Sequence, residues 1–294
     1  MHFQLTEDQR ALQSGMRELL AGRFGRDALR AAVDAPGTLD RALWRELGHA
    51  GFFALRLPED DGGVGLGLPE AVLLFEEAGR ALLPGPLIAT HLAAGVVPGA
   101  AEGKVVVTQA DGPLVEWYEA SDAVAGDVVA DGAGVPVRSV DPLTPLHRLH
   151  EPAPAAGPLV GLLTAAEQLG SAARTTEMAV HYAKEREQFG AAIGSFQAVK
   201  HLCAQMLART ELARAAVYAA AVTGNHADIA GAKLLADEAA VRCARDCLQV
   251  HGGMGFTWEA DVHLHLKRAW VRRERWVSSS ALTELLAELL VEVG

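Results

Sequence analysis

Cysteine is scarce in this chain, with three in 294 residues. That is too few for a disulfide framework, and no group of Cys and His completes a four-ligand set, so no metal site is expected. Basic charge is also short. Lys and Arg number 26 against 37 Asp and Glu, a net charge of −11, which argues against nucleic acid as the principal ligand. A nucleotide cofactor stays open, because one arginine and a few backbone amides suffice to hold a pyrophosphate. Long apolar runs are missing as well: none approaches the roughly 18 uncharged residues of a spanning helix. The opening MHFQLTEDQR has no charged segment leading into an apolar run, unlike a secretory signal. These absences predict no membrane span and a cytoplasmic location.

Hydrophobic residues make up half of the sequence, ample for a large core. Thr6-Glu7-Asp8-Gln9 has the form of a capping box, and Leu5, Leu12, Met16, Leu19 and Leu20 mark out a helical stripe. A loop around Asp34–Gly37 leads to a second helix with Leu39, Leu43, Trp44 and Leu47, ended by Gly51. Pro69 suits the first turn of a third, through Val72, Leu73, Phe75 and Ala78. Between about residues 100 and 155 the composition changes. Val105-Val106-Val107, Ala123-Val124-Ala125 and Asp127-Val128-Val129 predict short strands, and residues 151–158 form a Pro-rich linker. Longer helices are then predicted over about Leu159–Arg186, Phe196–Thr223, His226–Val250 and Glu259–Val291. The organisation expected is a helical domain over 1–100, a small β domain over 101–157 and a helical bundle over 158–294.

Several clusters carry chemistry, each beside a plainer reading. The Gly62–Gly67 run neither follows a strand nor opens a βαβ unit, so it reads as a substrate-side or structural loop rather than a dinucleotide motif. Around the turn between two long helices stand Arg186, Gln188, Phe189 and Gln197. They suit a nucleotide diphosphate or an ordinary helix turn. His251-Gly252-Gly253-Met254-Gly255 closes another helix with more glycine than a cap requires, as if a phosphate or a second chain approached the backbone. Cys243 and Cys247 could clip a metal but read first as buried thiols, and His263 and His265 point to different helix faces. Lys267, Arg268, Arg272, Arg273 and Arg275 form a basic run, read as a solvated face or subunit contact, with the phosphates of a CoA-like ligand as the alternative.

Taken together, REQFGAAIGSFQ and QVHGGMGFTWE resemble the two C-terminal signatures of acyl-CoA dehydrogenases. LTEDQRALQ and LWRELGHAGFFALRLPEDDGGVGLGLPEAVLLFEEAGRAL are similar to that family's first helical domain. The resemblance covers roughly residues 3–95 and 159–276. It implies a mainly α fold of N-terminal helical domain, reduced middle β domain and C-terminal four-helix bundle. It also implies FAD as cofactor, an acyl-CoA thioester as substrate, and an electron-transferring flavoprotein or similar acceptor. By the same resemblance Arg186 contacts the FAD pyrophosphate with help from Gln188 and Phe189. Ile193, Phe196 and Gln197 line the adenosine side, and Gln249, Gly252 and Gly253 close the pocket, all across a subunit interface.

The departures from the family fall on one side. Its usual catalytic glutamate position holds Trp276, and the alternative base position on the first bundle helix holds Val160. Neither side chain accepts a proton, so no catalytic residue is assigned. The middle domain is short and lacks the segment that serves the flavin ring. The resemblance therefore implies a subunit of an α,β-desaturating enzyme that gives the ADP clamp to a second, base-carrying dehydrogenase-like subunit, as heterodimer or heterotetramer. Such pairs resemble actinobacterial enzymes of steroid side-chain catabolism. Two alternatives stay open: a homomeric enzyme whose base has moved to Glu167 or Glu274, and a non-catalytic scaffold that kept the fold.

Overall fold

Thr6 caps the first helix as its sequence predicts: its side chain accepts from the Gln9 amide while the Gln9 side chain accepts from the Thr6 amide. The computed structural model describes residues 4–126 and 134–293. Helix α1 (Glu7–Arg23) is followed by α2 (Arg26–Asp34), α3 (Arg41–His49), α4 (Leu68–Ala81) and α5 (Leu87–Ala93). Of these, neither α2 nor the seven-residue α5 is expected from the sequence: the nine residues of α2 hold only Leu29 and Val33 as buried apolar anchors, too short a stripe to stand out.

The middle segment forms a five-stranded sheet in the order β3-β1-β2-β5-β4, from β1 (Val107–Asp111), β2 (Leu114–Glu116), β3 (Ala123–Ala125), β4 (Val135–Val137) and β5 (Leu146–Arg148). The pair β1–β3 is parallel; the other pairs are antiparallel. Ala123–Ala125 is a strand as expected. The valine run at 105–107 contributes only Val107, because Val106 spends its amide on the Asp122 side chain instead of the sheet. The predicted strand at Asp127–Val129 lies outside the described residues. Three strands carry Pro, Leu, His or Arg rather than a β-branched run, and for that reason were not legible.

The C-terminal half is built of α6 (Pro158–Glu185), α7 (Gln197–Thr223), α8 (His226–His251), α9 (Val262–Arg273) and α10 (Ser279–Val293). Pro158 sits in the first turn of α6, Asn225 caps α8 by accepting from the Asp228 amide, and Gly224 ends α7 at φ 63°. Helix α8 is central, touching α6, α7, α9 and α10. The single helix expected over Glu259–Val291 is two. The chain breaks at residues 274–278, where Trp276 adopts φ 67°, a conformation a bulky residue takes only when its surroundings enforce it.

Helices α4 and α6 join the N-terminal helices to the bundle with their backbones in contact. A Cβ on Gly79 would lie 2.0 Å from the Glu167 carbonyl oxygen, and one on Gly170 would lie 1.9 Å from that of Glu76. One continuous core runs from Trp44, Phe52, Phe53 and Phe75 through Leu163 and Leu169 to Val241, Ala244 and Leu264. Each fully buried Leu or Phe contributes roughly 1.5–3 kcal/mol. Among the described residues no helix is long and apolar enough to cross a membrane.

Candidate functional site

The segment after α6 folds back as a two-stranded hairpin, β6 (Glu187–Gln188) with β7 (Ala191–Ala192). Its tip is Phe189-Gly190, with φ of 55° and 79°. Two successive positive φ values are what a two-residue primed turn needs, and Gly190 supplies the second without cost. The Arg186 amide donates to Tyr182 at 2.9 Å, and the Ile193 amide donates to Arg186 at 2.8 Å, so Arg186 is held at the root of the hairpin. The turn leaves the Phe189 ring 94% exposed, edge-on to the exposed Phe196 at 6.1 Å. Arg186, Gln188, Phe196 and Gln197 are exposed too, and Ile193 is half-buried.

The second glycine-rich turn meets this hairpin through a ring pair. Tyr182, one turn before Arg186 on α6, stacks on His251 at the end of α8, with centroids 4.1 Å apart and planes 19° from parallel. Such a pair is worth about 0.5–1.5 kcal/mol beyond its burial. His251 Nδ1 lies 2.8 Å from the Cys247 carbonyl oxygen, which fixes the ring. Beyond it Gly252 turns the chain at φ 58°, and Gln249 and Gly253 are exposed. Added Cβ atoms on Gly252 and Gly253 would meet nothing within 4 Å, so the space before this turn is open to a ligand or second chain. Nearby on the chain, Met254, Phe256 and Trp258 are exposed apolar residues.

The two positions expected to carry a base come together and are closed. A Cβ on Gly161, next to Val160, would lie 2.1 Å from the six-membered ring of Trp276, so that indole lies directly on α6. Val160 is 1% exposed and Trp276 7%. The Trp276 amide donates to Asp111 Oδ2 at 2.5 Å, which ties the break between α9 and α10 to strand β1. An indole and an isopropyl group thus occupy the place where a carboxylate was sought.

The basic run corrects its sequence reading: Arg268, Arg272 and Arg275 are buried, while Arg273 is exposed. Arg272 pairs with Glu116 of β2 at 2.7 Å and with Glu167 of α6 at 2.7 Å, Arg275 pairs with Glu116, and Arg268 pairs with Asp141. Charge in a low-dielectric interior is tolerated only when matched in this way. Lys267 lies over the Trp258 ring at 4.7 Å. The cavity left between the sheet and α9, lined by Asp111, Glu116, Arg272 and Glu274 among others, measures about 60 Å³. Small-molecule pockets run to about 300–1,000 Å³, so there is no room for a flavin ring here.

Glu167, a candidate replacement base, is therefore a buried partner of an arginine. Glu274 is exposed at the end of α9. Cys243 and Cys247 are buried; burial pushes the Cys247 thiol up to about 12, and Cys243 upward as well. No group of three or more potential metal ligands occurs among the described residues. The Gly62–Gly67 loop folds on its own flank, with the Gly65 and Leu66 amides donating to Leu57 and Leu55.

Comparison with known proteins decides the family. Residues 6–103 match the acyl-CoA dehydrogenase N-terminal domain, and residues 162–274 match the acyl-CoA dehydrogenase C-terminal domain. The chain belongs to the acyl-CoA dehydrogenase family. The acyl-CoA dehydrogenase IpdE2 of Mycobacterium tuberculosis is 36% identical, spanning 90% of this chain and 91% of its own length. FadE34 of the same organism is 34% identical over 96% of this chain, which covers 50% of that longer protein. In fold, the chain is similar to the ChsE4-ChsE5 complex from Mycobacterium tuberculosis, with TM-score 0.86, 24% identity and 99% of each chain covered. It is also similar to the Tcur3481-Tcur3483 steroid ACAD, with TM-score 0.83, 25% identity and coverage of 97% and 98%. FAD is the cofactor of this acyl-CoA dehydrogenase family. Sequence reasoning missed Tyr182, His251, Asp111 and Glu116. Only His251 had a signal, its place inside the glycine-rich signature.

Proposed function

We propose that this chain is one subunit of a heteromeric FAD-dependent acyl-CoA dehydrogenase and that it supplies the ADP clamp of FAD to a partner carrying the catalytic base. The observation that carries the reading is the Trp276 indole lying against Gly161, which closes both base positions, while the Arg186 hairpin and the Gly252-Gly253 turn remain open. The donor set suits the ADP part of FAD: a guanidinium for the pyrophosphate, the Gln188, Gln197 and Gln249 amides for hydroxyl and base edges, and the Phe189 and Phe196 rings as an apolar wall. It does not suit the flavin ring, for which the cavity beside the sheet is too small.

When bound, FAD supplies an acceptor for the hydride that leaves the β-carbon of an acyl thioester. In this reading the present chain orients the cofactor from its adenosine end, and the Tyr182–His251 stack keeps the two halves of the clamp in register. The partner provides the acyl pocket and removes the α-proton. The fold likeness to the Tcur3481-Tcur3483 steroid ACAD favours a steroid side-chain thioester over a simple fatty acyl one, with an electron-transferring flavoprotein as acceptor. The division into residues 1–100, 101–157 and 158–294 is the domain scheme proposed with it.

Co-expression with a second dehydrogenase-like chain that keeps the base and an intact middle domain tests the proposal. The expected product is a stable yellow complex that desaturates an acyl-CoA, whereas the chain alone retains little FAD and little activity. Strong turnover by the isolated chain would overturn it. A purified complex without flavin absorbance would favour the scaffold reading.

A further inference from the structure

A second candidate site lies away from the cofactor clamp. A cleft of about 340 Å³ opens between α1, α2, α4, α6 and the start of α9. Leu20, Phe24, Leu29, Leu82 and Met178 form an apolar wall. Arg17, Arg26, Arg80 and Arg174 line the same space against two carboxylates, Glu77 and Asp261. Four guanidiniums converging on one cleft are unusual in a protein of net charge −11.

The arginines are not equally occupied. Arg17 is held by Glu77 at 2.6 Å and Arg26 by Asp261 at 2.8 Å. Arg80 takes Glu177, leaving Arg174 only a distant approach of 3.7 Å to that same carboxylate. Asp261 is further shared with Arg30. The cleft thus carries more positive charge than its own carboxylates balance.

One polar group is built into the wall. His265 is 3% exposed and lines the cleft, with Nδ1 2.9 Å from Ser171 Oγ. The Ser171 hydroxyl has no other acceptor among the described residues; when it donates to Nδ1, the ring carries its hydrogen on Nε2. Nε2 has no partner among the described residues. Burial, with Arg174, Arg268 and Arg80 close by, pushes His265 down to about 3, so the ring stays a neutral donor.

We propose that this cleft binds a small amphipathic carboxylate, its head taken by Arg174 and the His265 Nε2–H and its apolar tail laid against Phe24, Leu29 and Met178. A carboxylate fits the convergent donors, and the volume suits a short-chain molecule rather than a nucleotide. None of the lining residues belongs to the FAD clamp, so the site is separate from the proposed cofactor function.

Isothermal titration of the full chain with octanoate, below its micelle threshold, tests this, with octan-1-ol as the uncharged counterpart. Octanoate is expected to saturate one site per chain, and octan-1-ol to bind at least about tenfold more weakly. Arg174→Gln, a half-exposed position, is expected to weaken octanoate by about tenfold. Met178→Trp fills the cleft and is expected to abolish binding, with circular dichroism confirming that the fold is kept. Arg186→Gln is expected to leave octanoate affinity unchanged. The proposal is overturned if octanoate does not saturate, if octan-1-ol binds as tightly, if either cleft variant binds like the parent, or if Arg186→Gln removes binding.

Discussion

Replacing Arg272 with Met would show whether the charges buried between the sheet and the bundle are structural. Arg272 is 2% exposed and stands between two carboxylates, Glu116 and Glu167, each at 2.7 Å. Its contact to Glu116 is a directed hydrogen bond, whereas the approach to Glu167 has the distance but not the angle of one, so that half is Coulombic. Removing the guanidinium leaves Glu116 with Arg275 and leaves Glu167, 5% exposed, without a counter-charge. Breaking a buried pair on one side costs about 3–5 kcal/mol. For a chain of this size that lowers the melting midpoint by roughly 6–20 °C. Urea unfolding followed by circular dichroism measures the free energy directly. The double variant Arg272→Met/Glu167→Met is expected to recover much of the loss, because the stranded charge leaves with its partner. A single variant within about 1 kcal/mol of the parent, or a double variant no better than the single, would refute the reasoning. Glu167→Gln separates structure from chemistry: here it lowers stability and leaves the complex's turnover in place, whereas a catalytic Glu167 predicts the reverse.

Three other outcomes are expected. His265 and His91 are held neutral by burial, at about 3 and about 4, against 6.5 for the ordinary side chain. The unfolded chain binds more protons between those values, so their contribution is complete above about pH 6.5 and shrinks as pH falls toward 4, by up to about 1.4 kcal/mol per pH unit for each ring. Stability measured from pH 7 to pH 4.5 checks this, and a flat profile would contradict it. In the assembled complex, Arg186→Gln is expected to weaken FAD retention by about tenfold or more, read from flavin fluorescence on dilution, with the melting midpoint of the chain alone unchanged because Arg186 is exposed. Gly170→Ala forces a methyl group against the Glu76 backbone and is expected to cost about 1–3 kcal/mol by urea titration.

Much of the fold was legible because long amphipathic helices write their period over many residues. The ends of α6, α7 and α8 fell within two residues of expectation, fixed by Pro158, Gly224 and Asn225. The break between α9 and α10 was not, because Arg275-Trp276-Val277 carries neither Gly nor Pro. Asp111 and the buried arginine pairs enforce that break from elsewhere in the chain. The residues proposed as the clamp stand out in the sequence as a set, since their glycines and amides lie in two local signatures. The ring pair that joins those signatures does not, because Tyr182 and His251 are ordinary residues 69 positions apart, brought together by the packing of α6 on α8.

The middle segment carries charges on which the helices beside it depend. Asp111, Glu116 and Asp141 all reach across to α9 or to the bend after it. The insert thus acts as a folded counterion. Cutting it out would not simply trim a dispensable loop but would strand Arg268, Arg272 and Arg275 in an interior that cannot solvate them. So long as those three arginines remain, the segment cannot discard the acidic residues that neutralise them.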